Sequence, residues 1–328
     1  MKLLVTGSEG SLMQWVIPRL LEQGHEVRGA DNFVRYGHIQ RDRDYEFVEA
    51  NLTDAAAVDR VMDGIEGVLQ GAALIFGVGG FHKHCADILA DDIAIQRNVL
   101  RACVAHRVAK IAYVSSSMVF ERVDEHPSHE DTVFKALIPA TDYGLSKVVG
   151  ERLCMAFHTQ YGLDYTIWRP FNIITPFETG DEEIGVSHVF ADFIENIVVR
   201  RLNPLPIIGD GQQVRCFTWI GDVADAVAGH SFTTATSGAA FNLGNAEPLT
   251  MIDLARRIHA TAIDLGLLPP ASADLRFETT KTFAADVRKR IPDVSRARDR
   301  LGWEATVGID EAVRRCLEQV QARQRELA

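Results

Sequence analysis

Disulfide chemistry has little to work with in this chain. Its 328 residues carry five cysteines, an odd number, and no two of them form a Cys-x-x-Cys pair. Cys85, Cys103, Cys154, Cys216 and Cys316 are scattered, which argues against structural disulfides and fits a reducing cytoplasm. Long hydrophobic runs are also missing. No stretch approaches the roughly 20 apolar residues of a membrane span, and the apolar start, Met1-Lys2-Leu3-Leu4-Val5, is too short for a signal peptide. Positive charge is in deficit. A formal net charge of -11 argues against nucleic acid or an anionic membrane as the main partner, while leaving room for a local basic pocket. Internal repeats and low-complexity segments are absent too. The expectation is a soluble cytoplasmic protein, and 47% hydrophobic residues supply ample material for one large domain or two intimate ones.

The first half alternates short apolar runs with helical patterns. Candidate strands are Leu3–Thr6, Glu26–Ala30, Tyr45–Glu49, Gly67–Gly71, Lys110–Ser115 and Tyr165–Trp168. Helical periodicity marks Ser11–Gln23, Ala55–Met62, Ile88–Ala105 and Tyr143–Tyr161. This alternation predicts an α/β fold, a Rossmann-type doubly wound parallel sheet covered on both faces. The apolar arcs on the last two helices exceed what one sheet face needs; the surplus serves core packing or a subunit contact. After Trp168, proline and glycine cluster at Arg169-Pro170-Phe171-Asn172, Asn203-Pro204-Leu205-Pro206 and Gly209-Asp210-Gly211. That reads as loops and short strands over the sheet's carboxyl edge, where ligands bind in open α/β folds. From about Thr250 the chain reads as mostly helical. The expected division is a dinucleotide-binding domain over 1–168, also taking in about 216–245, and a smaller mixed α/β substrate-binding domain within 169–328.

Two local patterns carry chemistry. In Tyr143-Gly144-Leu145-Ser146-Lys147, the spacing puts tyrosine and lysine on one face of a helix, about one turn apart. A lysine held there favours the ionised form of a phenol whose ordinary pKa is about 10, producing a general base for an alcohol. Such a spacing also arises by chance, so its weight depends on its surroundings. The second pattern is Thr6-Gly7-Ser8-Glu9-Gly10-Ser11-Leu12-Met13, which follows the first strand and opens the first helix. Gly7 permits a tight turn and Gly10 lets the backbone approach a pyrophosphate at a helix N-terminus. Met13 stands where a third glycine serves close helix–strand packing, which suggests a shifted helix. Asp31, at the end of the second strand, suits the ribose hydroxyls of NAD and repels a 2′-phosphate; as a bland alternative it is a turn residue before Asn32. Arg35 is the nearby feature that favours NADP instead.

Taken together these residues resemble the extended short-chain dehydrogenase/reductases, specifically the NAD-dependent epimerase/dehydratase family acting on nucleotide sugars, and within it the 4-epimerases. The resemblance runs through Thr6–Gly10, Asp31, Asn51-Leu52-Thr53-Asp54, Gly71-Ala72-Ala73, Ser115-Ser116-Ser117-Met118-Val119-Phe120 and Tyr143-x-x-x-Lys147. It continues through Arg169-Pro170-Phe171-Asn172, Gly209–Ala224 and Leu301-Gly302-Trp303-Glu304. It implies Tyr143 as the base, Lys147 as its tuning partner and nicotinamide-ribose ligand, and Ser116 as a hydrogen-bond donor to the reacting oxygen. Ser115 or Ser117 would take that place under a one-residue shift, and a serine run also serves as a strand-end cap. It further implies NAD contacts from Gly7, Gly10, Ser11, Leu12, Asp31, Asn32, Asn51, Leu52, Ala72, Ala73 and Pro170. Ser117, Asn172, Arg215 and Arg288 would contact a nucleotide-diphosphate sugar, the arginines pairing with phosphate. Arg288 also reads as part of a solvated charge run. A homodimer is implied as well.

The resemblance narrows the reaction by what is missing. Members that eliminate water carry Asp-Glu after the catalytic Ser/Thr, and decarboxylating members carry glutamate at the second of those positions; here they are Ser117 and Met118. Methionine cannot act as acid or base. A 4-epimerase working through a transient 4-keto sugar fits best, with a 4-dehydrogenase or another epimerase/dehydratase as alternatives. Glu121, His82, Lys83 and His84 are the residues able to supply an unforeseen acid or base. His82-Lys83-His84-Cys85 lacks a second ligand cluster, so no metal is expected and a loop over cofactor or substrate is the reading. A non-catalytic NAD-binding sensor is the alternative of another class, favoured by departures at Met13, Asn51 and Gln70. Retention of Ser116, Tyr143 and Lys147 counts against it.

Overall fold

A computed structural model describes residues 1–34, 37, 42–178, 180, 187–270, 274–280 and 287–326. The first half contributes β1 (Lys2–Thr6), α1 (Met13–Glu22), β2 (Glu26–Asp31), β3 (Glu46–Glu49), α2 (Ala55–Met62) and β4 (Gly67–Gln70). Next come α3 (Val78–Lys83), α4 (Cys85–Ala105), β5 (Lys110–Val114), α5 (Asp142–Tyr161) and β6 (Asp164–Pro170). Then follow β7 (Ile173–Ile174), α6 (Val189–Ile194), β8 (Leu205–Ile208), β9 (Val214–Cys216), β10 (Thr218–Trp219) and α7 (Ile220–His230). The chain ends with β11 (Ala239–Leu243), β12 (Pro248–Thr250), α8 (Met251–Asp264), β13 (Phe277–Thr280), β14 (Lys289–Arg290), α9 (Ser295–Leu301) and α10 (Ile309–Glu326).

Seven strands form one sheet in the order β11-β6-β5-β4-β1-β2-β3, every pair parallel. Strand order reverses between β1 and β4, so the crevice at their carboxyl ends is the expected ligand site of such a sheet. One face is covered by α2, α4 and α5 through Val58, Val99, Leu100 and Cys154, packed on Val68, Ile111 and Ile167. The other is covered by α1 and α7 through Val16, Leu20, Val223 and Val227, packed on Leu3, Val5 and Trp168. A third apolar cluster lies beyond the sheet, where α6, α8 and α10 enclose Phe193, Leu254, Ile258 and Leu317. Each cluster is built from the apolar faces of its strands and helices.

The six predicted strands and four predicted helices are present with ends shifted by up to three residues. The largest shift at α4 adds a turn from Cys85, and α1 begins at Met13 because Ser11 and Leu12 belong to the glycine turn. The seventh strand was not legible. Ala239-Ala240-Phe241-Asn242-Leu243 lacks alternation because it is buried on both faces. The region after Trp168 also holds α6 and α7 among its loops and short strands.

Beneath the carboxyl edge sits a buried ion pair. Arg169 on β6 meets Glu151 on α5 through two bonds, Nε to Oε1 at 2.8 Å and Nη2 to Oε2 at 2.7 Å. Both are almost wholly excluded from solvent. Ser115 donates its hydroxyl to the same carboxylate at 2.5 Å, and Arg169 donates to the Glu130 carbonyl at 2.8 Å. Glu151→Ala would strand a buried guanidinium, so a loss of about 3–5 kcal/mol in unfolding free energy is expected. Equilibrium urea denaturation checks it; a loss below about 1 kcal/mol contradicts the pairing's structural role.

Candidate active site

The glycine turn is built by close contacts that side chains would block. Gly7 has φ +68°, and a Cβ placed on it would lie 2.9 Å from backbone atoms of Ala72. Thr6 donates its hydroxyl to Gln70 at 2.6 Å and accepts the backbone N–H groups of Gly71 and Ala72 at 3.1 Å. Gln70 returns a bond to the Ala72 carbonyl at 3.2 Å, so this departure from the family pattern fastens the two turns together. Met13 is explained by the same economy of space. Its methyl group occupies the position a Cβ on Gly71 would need, at 2.3 Å. The room normally left by a helix glycine is supplied here by a glycine at the end of β4.

Asp31 ends β2 and lines the cavity. Its carboxylate accepts the Glu9 N–H at 3.0 Å and the Phe33 N–H at 2.8 Å, which fix its orientation and leave lone pairs for ribose hydroxyls. Arg35 lies outside the described residues. Glu9, read only as a turn residue, is buried and takes bonds from Arg43 at 2.9 Å and Tyr45 at 3.0 Å. Asn98 on α4 donates to the Leu52 and Thr53 carbonyls at 3.1 and 2.9 Å, pinning the loop that carries Asn51 and Leu52 to the cavity wall. Neither support was legible, because each partner lies more than 30 residues away in sequence.

One cavity of about 680 Å³ runs from this turn across the carboxyl edge. Gly10, Ser11, Leu12, Asn32, Ala72, Ala73 and Pro170 line it, as do Ser116, Ser117, Tyr143, Asn172 and Arg215. The turn's open backbone, its exposed approach at a helix start and the acidic residue at β2 fit a dinucleotide.

The three serines part company. Ser115 is committed to Glu151, and Ser116 begins a short 3₁₀ turn, its Oγ accepting the Met118 N–H at 3.1 Å. That bond leaves the Ser116 hydroxyl proton to be donated into the cavity. Tyr143 stands in the first turn of α5, whose start is capped by Thr141 Oγ1 accepting the Gly144 N–H at 3.1 Å. Gly144 is required there, since a Cβ would come within 2.9 Å of the Met118 carbonyl. Phe81 from α3 stacks flat on the Tyr143 ring, with centroids 4.4 Å apart and planes 7° from parallel.

Lys147 lies one turn below, buried. Its Nζ is 5.3 Å from the Tyr143 ring centroid, 5.7 Å from that of Tyr113 and 3.4 Å from Asp92 Oδ2. Burial acts to lower its pKa; Asp92, with Tyr113 and Tyr143, outweighs that and holds it above the ordinary lysine value. Burial likewise pushes the Tyr113 phenol well up, so it stays neutral.

At the far end the two expected arginines separate. Arg215 is buried and lines the cavity. Arg288 does not line it: the guanidinium is exposed and pairs with Asp210 at 2.9 Å. Arg290, two residues on, takes the inward place, bonding Asn172 Oδ1 at 2.9 Å and meeting Met118 Sδ. Asn172 is itself in the left-handed region at φ +38°, its amide donating to the Cys216 carbonyl at 2.8 Å. Glu178 and His188 pair at 2.8 Å on the cavity wall and were not singled out from sequence. Of the residues expected to offer another acid or base, Glu121 accepts the Thr141 backbone N–H at 2.9 Å and its hydroxyl at 2.5 Å. Neither Glu121 nor His82, Lys83 or His84 lines the cavity; from the α3 segment it is Phe81 that does. No cluster able to hold a metal occurs among the described residues, and no described helix is long and apolar enough to cross a membrane.

Comparison with known proteins gives a consistent picture. The family model described as NAD dependent epimerase/dehydratase family matches residues 3–244. The UDP-glucose 4-epimerase of Mycolicibacterium smegmatis is 28% identical, over 97% of this chain and 98% of that one. UDP-glucuronic acid decarboxylase 1 of Arabidopsis thaliana is 26% identical, over 96% of this chain and 68% of that one. The crystal structure of UDP-glucose 4-epimerase from Thermotoga maritima with UDP-glucose superposes with a TM-score of 0.84 at 25% identity, covering 99% of this chain and 100% of that one.

The Met13–Gly71 contact is testable by a double-mutant cycle. Gly71→Ala alone is expected to cost about 1–3 kcal/mol through overpacking. Adding Met13→Ala should recover a large part of that loss, as thermal denaturation will report. Additive losses in the double variant would contradict the contact.

Proposed function

This chain belongs to the NAD dependent epimerase/dehydratase family, and on that footing we propose that it is a nucleotide-sugar 4-epimerase working through a transient 4-keto sugar. The observation that carries this reading is the composition of the site around Ser116 and Tyr143. Beside them, Ser117 and Met118 supply no second acid or base, and Arg290 rests against Met118. With no acid or base at those two positions, the neighbourhood of Ser116 and Tyr143 suits oxidation and reduction at one carbon, without elimination or decarboxylation.

The turn at Gly7 and Gly10 would hold the pyrophosphate of NAD, with Asp31 on its adenosine ribose. NAD⁺, when bound there, supplies the redox chemistry by taking up hydride from the sugar and giving it back. Tyr143 takes the proton of the 4-hydroxyl group and later returns it to the 4-keto oxygen. Ser116 donates a hydrogen bond to that oxygen in both directions. Lys147 keeps positive charge beside the phenol in the dry interior, where it acts strongly. Arg215 and Arg290 provide the positive potential for a diphosphate-bearing substrate within an acidic protein. Inversion then requires the keto sugar to turn over inside the cavity between the two transfers.

The family likeness also supports a homodimer. Ile93 on α4 and Leu145 and Val149 on α5 are half-buried on adjoining helices and offer a contact surface. Light scattering at micromolar concentration checks it: a mass of one chain rejects the dimer.

Proton NMR of UDP-glucose, UDP-glucuronate and UDP-N-acetylglucosamine incubated with the protein and NAD⁺ in deuterated water tests the reaction. Inversion at carbon 4 without deuterium uptake is expected. Deuterium entering at carbons 3 or 5, or accumulation of a keto sugar with stoichiometric NADH, overturns the 4-epimerase. Ser116→Ala and Tyr143→Phe should each lower kcat by about 10²–10⁴-fold. Turnover that persists unchanged in Tyr143→Phe removes the phenol from the chemistry.

A further inference from the structure

Lys147 owes its setting to a carboxylate that the proposed reaction does not itself use. Asp92 projects from the middle of α4, 7% exposed. Its Oδ1 accepts the Leu74 N–H at 3.0 Å, its Oδ2 accepts the Ser146 hydroxyl at 3.0 Å, and the same Oδ2 lies 3.4 Å from Lys147 Nζ. Two of these three partners are neutral donors, which an amide oxygen would serve as well. Only Lys147 gives the negative charge a partner. An ionised carboxylate is kept in a protein interior when a cation compensates it, so the ion pair is what the acidic residue adds at this position.

We propose that Asp92 is a positioning residue that anchors Lys147 and holds part of its charge back from Tyr143. This rests on reading Tyr143 as the acid/base group. A lysine acting alone in a dry site would hold the phenol strongly ionised. That makes a good base for the first proton transfer and a poor acid for the second. A group that must both take a proton and return it works best with a pKa near the operating pH. Asp92, 3.4 Å from the ammonium, opposes the lysine and weakens the hold its charge has on the phenol. It also fixes the ammonium in one place, with Tyr113 closing the space from β5.

The sign of the effect follows from the groups around the pair. Lys147 is faced by Asp92 from α4, Tyr113 from β5 and Tyr143 from its own helix. Glu151 and Cys154 act on Tyr113 from α5. Removing the one negative charge at Asp92 eases proton loss from every neighbour, Tyr143 and Lys147 alike. Asp92→Asn retains an oxygen to accept from Leu74 and Ser146 while removing that charge.

Protein carrying carbon-13 at tyrosine Cζ allows Tyr143 to be titrated by NMR without cofactor or sugar, its signal assigned by loss in Tyr143→Phe. In Asp92→Asn the Tyr143 midpoint is expected to fall by about one pH unit, the lower end of what a single nearby charge produces. The acid limb of kcat/KM should move in the same direction. An unchanged or raised midpoint overturns the proposal, and a loss of thermal stability alone would mark Asp92 as merely structural. Should Asp92→Asn fail to fold, the Lys147 ammonium in the unaltered protein can be followed by nitrogen-15 NMR. It should remain protonated at pH 10; loss of the proton by that pH contradicts an anchoring carboxylate. A protein that turns over no sugar would still give these titrations, so the two readings fail separately.

Discussion

One buried charge pair ties together the elements that carry Ser116, Tyr143 and Lys147. Arg169 and Glu151 join β6 to α5, and through Ser115 and the Glu130 carbonyl they also hold the end of β5 and a short 3₁₀ helix outside the sheet. Buried ion pairs are weak evidence for stability in themselves, because desolvation cancels much of their attraction. Their geometric demand is what matters here. A bidentate fork fixes α5 in rotation and height against the sheet, and Tyr143 and Lys147 are carried on that helix. Ser116 follows Ser115 directly, so the same contact sets the start of the turn that aims its hydroxyl.

A second layer of support surrounds Tyr143 and Lys147. Thr141 caps α5 and is itself held by both oxygens of Glu121. Gly144 lets the helix approach the Met118 loop, and Gly150 does the same for Tyr113, whose hydroxyl would meet a Cβ there. Phe81 closes over the phenol. Tyr143 and Lys147 are therefore fixed by contacts from several elements, and on the proposed reading that fixed placement is what their chemistry depends on.

Much of this was legible in the chain, and the boundary between legible and hidden is physical. The glycine turn, the acidic end of β2 and the Tyr–Lys spacing are local: each is set by a few consecutive residues and their backbone geometry. So are the strands and helices with a clear period. Asp92 and Lys147, Glu9 and Arg43, and Arg169 and Glu151 meet only because the sheet is assembled, and no spacing announces them. Arg288 and Arg290 show a finer limit. Both belong to one basic run, and the one that faces inward is the one on β14, whose register sets it opposite Arg215. Ala239–Leu243 was missed for a related reason, since a strand buried on both faces carries no alternation.

The exchange of space between Met13 and Gly71 has a historical implication. In a lineage where the helix glycine is intact, the strand position is free to vary within limits. Once methionine has settled at 13, the strand position is locked, and any side chain arriving there meets it. Whichever change came first, a methionine at 13 and a side chain at 71 exclude one another, so each residue restricts what the other can become. Among descendants of such an ancestor the two positions should covary, and the familiar three-glycine signature would be a poor guide to who still folds this way.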